Sequence, residues 1–199
     1  MTVTADDLDM VTTSVVTSLR TAVDQDWTVQ AGPLEWDCWH TGEHLSDALF
    51  SYAGQVVAQP QDRYAAFLVK VHDDATAEQV LEVVDLAGRV LAVTVRAASP
   101  ATRAYHPTGM ADPEGFAGMG CVEILAHGND IAEGLGLTLD PPRDLCTRVL
   151  ERMFPDEVGD LAGADPWAAL LWVSGRASLP GRPRRQGQWR WRGAPLGDD

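Results

Sequence analysis

Pro113–Glu–Gly–Phe116–Ala–Gly–Met119–Gly–Cys121–Val–Glu123–Ile–Leu–Ala–His127–Gly–Asn–Asp130–Ile–Ala–Glu–Gly134–Leu135 reads as one helix, with Gly134, Gly136 and Pro141 ending it and opening the next turn. Phe116, Met119, Glu123, His127 and Asp130 recur three and four residues apart, so they share one face. Phe116 and Met119 mark that face as the one turned toward the core. A carboxylate and an imidazole on a buried face are costly unless something satisfies them. Two solutions are common: a hydrogen-bonded network, or a metal ion. A Glu and a His one turn apart can both reach one cation, as the His pair does in helical zinc motifs.

Three more long segments carry helical periodicity. Leu8, Val11, Val15, Val16 and Leu19 make a stripe within a helix spanning about Thr4–Val23. Leu45, Ala48, Leu49, Tyr52 and Val56 line one side of a second helix, about Thr41–Gln59, which Pro60 ends. The third covers Thr76–Ser99, with Thr76 as N-cap and Gln79 as its capping-box partner. Its valines at 83, 90, 93 and 95 broaden the apolar stripe and predict burial on more than one side. Shorter helices are expected at Pro141–Met153 and Asp165–Gly175, and Arg63–His72 fits either a short strand or a helical turn. Four long helical segments without a convincing set of strands predict an all-α fold. The expected architecture is a four-helix bundle with additional short C-terminal helices over residues 1–175. Bundles build metal and cofactor sites from side chains on facing helices.

From Arg176 the composition changes. Arg176, Arg182, Arg184, Arg185, Arg190 and Arg192 lie among Pro, Gly and Trp, with no acid until Asp198. Such an Arg/Trp-rich tail (176–199) can bind an acidic surface or single-stranded nucleic acid. With a net charge of −14 on the whole chain, folding back onto the body is the favoured reading. The same charge repels phosphate backbones and argues against a nucleic-acid partner.

A chain of 199 residues fits one domain with a substantial core. Arginine is used almost to the exclusion of lysine, and Ala, Gly and Pro are plentiful, which fits a high-GC genome. No apolar run reaches membrane-spanning length, so no membrane partner is expected. The polar, acidic Met1–Asp9 lacks the features of a signal peptide, and a cytoplasmic location is expected. Cys38, Cys121 and Cys146 are widely spaced and odd in number, which suggests reduced, buried thiols.

The best third ligand beside Glu123 and His127 is His44, near the start of the second helix and next to Leu45 and Ala48. Two His and one Glu are a known ligand set for catalytic zinc, leaving room for water or substrate. The same set can hold iron or nickel. The competing reading makes His44 an exposed helix-start residue and Glu123–His127 a surface pair.

Three stretches together resemble the mycothiol-dependent maleylpyruvate isomerase family, within the wider DinB-like metalloprotein group. WDCWHTGEHLSDALFSYAGQV (36–56) is similar to the family's first ligand helix, and AYHPTGMADPEGFAGMGCVEILAHGNDIAEGLGL (104–137) to its E-x3-H-x2-D helix. WRWRGAPL (189–196) is similar to the tail of many relatives. The resemblance implies a DinB-like four-helix bundle holding one divalent metal, usually zinc, at His44, Glu123 and His127. It also implies a thiol-dependent transferase or isomerase using a mycothiol-type thiol and a small-molecule substrate.

A divalent cation lowers the pKa of a coordinated thiol, and thiolate is the nucleophilic form. No cysteine of this chain lies on the ligand stripe, so the sulfur would come from a cofactor. Asp130 is placed to orient His127 or to neutralise a substrate group, or is an ordinary surface acid. His106, in the loop Pro100–Glu114, is an acid–base candidate or a packed loop histidine. Arg89 and Arg96 are candidates for pairing with a carboxylated ligand, or they reach the surface. Tyr52 is expected in the core, and Trp36 and Trp39 either wall a pocket or cap the bundle. Two other functions stay open: a metal-dependent hydrolase on the same scaffold, and a non-catalytic binding or regulatory module. Apolar helix faces leave a homodimer open.

Overall fold

The computed structural model describes residues 2–186 and 189–197. The parts of the tail at 187–188 and 198–199, and residue 1, lie outside the described residues. Every regular element among the described residues is helical. These are α1 (Ala5–Arg20), α2 (Cys38–Ala58), α3 (Ala77–Ala97), α4 (Pro113–Gly134), α5 (Arg143–Met153), α6 (Pro155–Val158) and α7 (Pro166–Val173), with a 3-10 turn at Gly159–Leu161. No helix among them is long and apolar enough to cross a membrane.

Local chemistry sets the helix starts. Thr4 and Thr76 close capping boxes with Asp7 and Gln79. Asp37 and Asp112 accept the backbone N–H groups of His40 and Gly115, so α2 begins about a turn before the Thr41 start expected from the sequence. α1 and α2 each lie against both α3 and α4, and α3 meets α4 less extensively. α5 docks on α4, and α6 and α7 pack on α5.

α4 is buried on nearly every side. Small residues allow it: beside Gly120, a side chain would meet Leu91, Leu8 and Leu49, one from each of the other long helices. α3 differs from expectation. Its buried residues form one stripe, Val80, Leu81, Val84, Ala87, Gly88, Leu91 and Ala92, while Val93 is exposed. The extra valines therefore face outward or lie at the margin, and α4 is the enclosed helix.

Residues 63–72 form neither strand nor helix. Side chains of α2 satisfy their backbone instead: Ala65 N–H donates to Gln55 Oε1 at 2.8 Å, Val69 N–H to Asp47 Oδ1 at 2.7 Å, and Val71 N–H to Glu43 Oε2 at 3.1 Å. The described part of the tail docks on the body. Arg192 N–H donates to the Met153 carbonyl at 2.8 Å, and Gly193 N–H to that of Thr108 at 3.2 Å. Arg182 and Arg185 lie over the Trp172 ring at 5.3 and 5.1 Å.

Gly134, the last residue of α4, faces backbone rather than flexible side chains. A Cβ there would collide with the Gln30 carbonyl oxygen and come within 2.8 Å of Cys38 Sγ. This contact seats the loop leading into α2 on the end of α4. Gly134→Ala is expected to destabilise the protein by about 1–3 kcal/mol, read as a lower thermal midpoint; an unchanged midpoint would contradict this packing.

Candidate metal centre

The N-cap at Asp37 starts α2 so that His44, two turns in, faces α4. One ligand atom each from His44, Glu123 and His127 lies within 4.8 Å of the others, so the three could hold a metal ion. The rings of His44 and His127 meet edge to face with centroids 5.0 Å apart. His127 Nε2 is 3.2 Å from Glu123 Oε2. Glu123 and His127 are each 8% exposed, whereas His44 is half-buried.

Each ligand from α4 has a dedicated partner. Tyr52, buried on α2, donates its hydroxyl to Glu123 Oε1 at 2.8 Å, which leaves Oε2 facing the cluster. His127 Nδ1 is 3.1 Å from Asp130 Oδ2. An N–H at Nδ1 turns the lone pair of Nε2 toward Glu123 and His44, the arrangement that fixes metal-binding histidines. Asp130 has no exposed surface and is held by Arg176, with Nε at 3.2 Å from Oδ1 and Nη2 at 2.9 Å from Oδ2. Arg176 in turn donates to the Ser174 carbonyl at 2.8 Å and lies 5.4 Å from the Trp189 ring centroid.

Two carboxylates and one guanidinium leave one negative charge buried here. Burial pushes the His127 pKa down, but its hydrogen bonds to Asp130 and Glu123 outweigh this and raise it to about 9. Burial raises Glu123, yet the hydrogen bond and charge of His127, with the Tyr52 hydroxyl, hold it below the usual carboxylate range. Burial and the neighbouring His127 lower the His44 pKa, keeping its lone pair available. Without a metal, a proton on His127 balances the charge; a divalent cation would take its place.

The remaining sequence candidates fall in different places. Asp130 joins the cluster, where it is fully buried between His127 and Arg176. His106 is buried beside this region, with ring centroids 6.2 Å from Tyr52 and 5.9 Å from Trp191. Thr108 N–H donates to its Nδ1 at 3.1 Å, and burial lowers its pKa to about 4, so it is neutral at physiological pH.

Arg89 and Arg96 are not brought to the cluster. Arg89 pairs with Asp85 at 2.8 Å on α3, and Arg96 with Asp6 and Asp9 of α1 at 2.8 and 2.7 Å, all near the surface. Trp39 donates its indole N–H to the Ala75 carbonyl at 2.8 Å, while Trp36 stays 47% exposed with its ring 4.7 Å from that of His44. The three cysteines are free and buried, and burial raises the pKa of each thiol. Tyr52, expected only as a core residue, and Arg176, read only as part of the tail, also join the cluster. A cleft of about 290 Å³ opens on His44. No family model, curated protein or solved structure matches this chain.

Removing the Tyr52 hydroxyl frees Glu123 Oε1. Tyr52→Phe is expected to weaken zinc binding by about 10- to 100-fold, measured by competition with a chromophoric chelator; unchanged affinity would contradict the positioning role. A second expectation concerns pH. Folded His127 holds its proton more tightly than the unfolded chain does, with a pKa of about 9 against 6.5. The resulting stabilisation of the metal-free protein is complete below pH 6.5 and is lost as pH rises through about 9. Unfolding in chelator should show this alkaline loss in the wild type and not in His127→Ala. A flat alkaline limb in the wild type would contradict the assignment.

Proposed function

We propose that this chain is a DinB-like four-helix bundle acting as a metal-dependent, thiol-dependent transferase or isomerase on a small electrophile. The observation that carries this reading is the convergence of His44, Glu123 and His127, with Asp130 behind His127. Those are the positions that the resemblance to mycothiol-dependent maleylpyruvate isomerases implies. The donor set fits zinc first, and nickel or iron as well. When bound, such an ion supplies stabilisation of a coordinated thiol as thiolate at neutral pH.

The chain's own residues hold and orient. His44, Glu123 and His127 provide the ligand atoms, Tyr52 fixes Glu123, and the Asp130–Arg176 pair fixes His127. The three buried thiols have raised pKa values and are poor nucleophiles, which supports an external, mycothiol-type thiol. His106, neutral and close to Tyr52, is the acid–base candidate. A reduced cytoplasmic setting suits this chemistry.

The test is turnover of an epoxide, an alkyl halide and a maleyl compound by zinc-loaded protein, with and without mycothiol. The expected result is product that requires both metal and thiol. Activity with metal alone would replace this reading with a hydrolase. No turnover in any combination would replace it with a binding module.

A further inference from the structure

We propose that the cleft beside His44 selects an uncharged ligand carrying an apolar or aromatic group, and disfavours a carboxylated one. This rests on the metal-centre reading above and narrows its substrate class. His44 is the half-buried member of the triad and it also lines the cleft, so the cleft opens on one of the three candidate ligand groups. Trp36 and Leu68 form apolar walls there and are 47% and 66% exposed. The Trp36 ring, 4.7 Å from that of His44, is placed to cover a flat group held at the ligand cluster.

The charges of the cleft point the same way. Its acids are Glu43 and Asp47, and its basic groups are Lys70 and His40, the latter paired with Asp37 at 2.8 Å. The Lys70 ammonium is 2.6 Å from Glu43 Oε1, and Glu43 Oε2 accepts from Val71 N–H at 3.1 Å. Asp47 accepts from Val69 N–H at 2.7 Å. An incoming carboxylate would meet two acids and a solvent-screened ammonium whose charge is already shared with Glu43, so the lining offers it no unshared cation. Arg89 and Arg96, the other candidates to receive a carboxylate, are paired elsewhere. The net charge of −14 adds a repulsive field for anions. The cleft therefore suits an aryl or alkyl epoxide or halide better than a maleyl acid.

Cobalt-loaded protein tests this through its visible spectrum, titrated with benzohydroxamate and with the monohydroxamate of succinic acid. The two share a metal-binding group and differ in the aryl ring and the carboxylate. Benzohydroxamate is expected to bind about tenfold more tightly or better, with Trp36→Ala losing most of that preference and Trp36→Phe keeping it. Equal or tighter binding of the carboxylated probe, or a preference untouched by Trp36→Ala, overturns the proposal while the metal centre stands. Absence of a cobalt spectrum overturns the metal-centre reading, and this proposal with it.

Discussion

Glu123, His127 and Asp130 sit on the most enclosed helix among the described residues, where little water reaches the first two and none reaches Asp130. Breaking a buried ion pair by removing one partner costs about 3–5 kcal/mol, so their partners are a constraint on the whole fold. Those partners come from separate parts of the chain: Tyr52 and His44 from α2, and Arg176 from just beyond α7. Satisfying one short stretch of α4 thus fixes the rotation of α2 and the docking of the C-terminal segment. Fold and site are specified by the same contacts.

Close packing around α4 depends on its small residues. A Cβ at Gly118 would run into Met153 of α5, and one at Gly128 into Val15 of α1. Together with Gly120, these positions let neighbouring helices approach the α4 backbone from several directions. The resulting dry interior strengthens electrostatic interaction among the cluster residues. It also explains why a cation suits the site, because two carboxylates and one guanidinium leave a negative charge in a place of low polarity.

Much of this was legible from spacing. The capping box at Thr76, and the helical stripes of α1 and α2, are local features, and local chemistry decided them; the capping box at Thr4 was equally local but was not read. The pairing of Glu123 with His127 followed from one helical turn, and His44 from its place beside the apolar face of α2. What was not legible depends on tertiary contacts. Arg176 meets Asp130 across 46 positions of sequence, and nothing near either residue announces the pair. Tyr52 fits an apolar stripe equally well with or without a carboxylate opposite its hydroxyl, although it lies two turns beyond His44 on the same side of α2. The α3 valines misled because β-branched residues tolerate a helix surface, whereas Arg89 and Arg96 take the surface alternative open to an arginine beside an apolar stripe. Residues 63–72 escaped both periodicities because Gln55, Asp47 and Glu43 supply hydrogen bonds that a strand partner would otherwise give.

The central claim is that His44, Glu123 and His127 form a metal centre. Elemental analysis of protein purified without a polyhistidine tag and reconstituted with zinc tests it most directly, on wild type, His44→Ala and His40→Ala. The two histidines sit one turn apart on α2, but His40 pairs with Asp37 at 2.8 Å away from the cluster. The account expects about one zinc per chain in the wild type and in His40→Ala, with the ion lost or greatly weakened in His44→Ala. No metal in the wild type, or equal metal in His44→Ala, would contradict it.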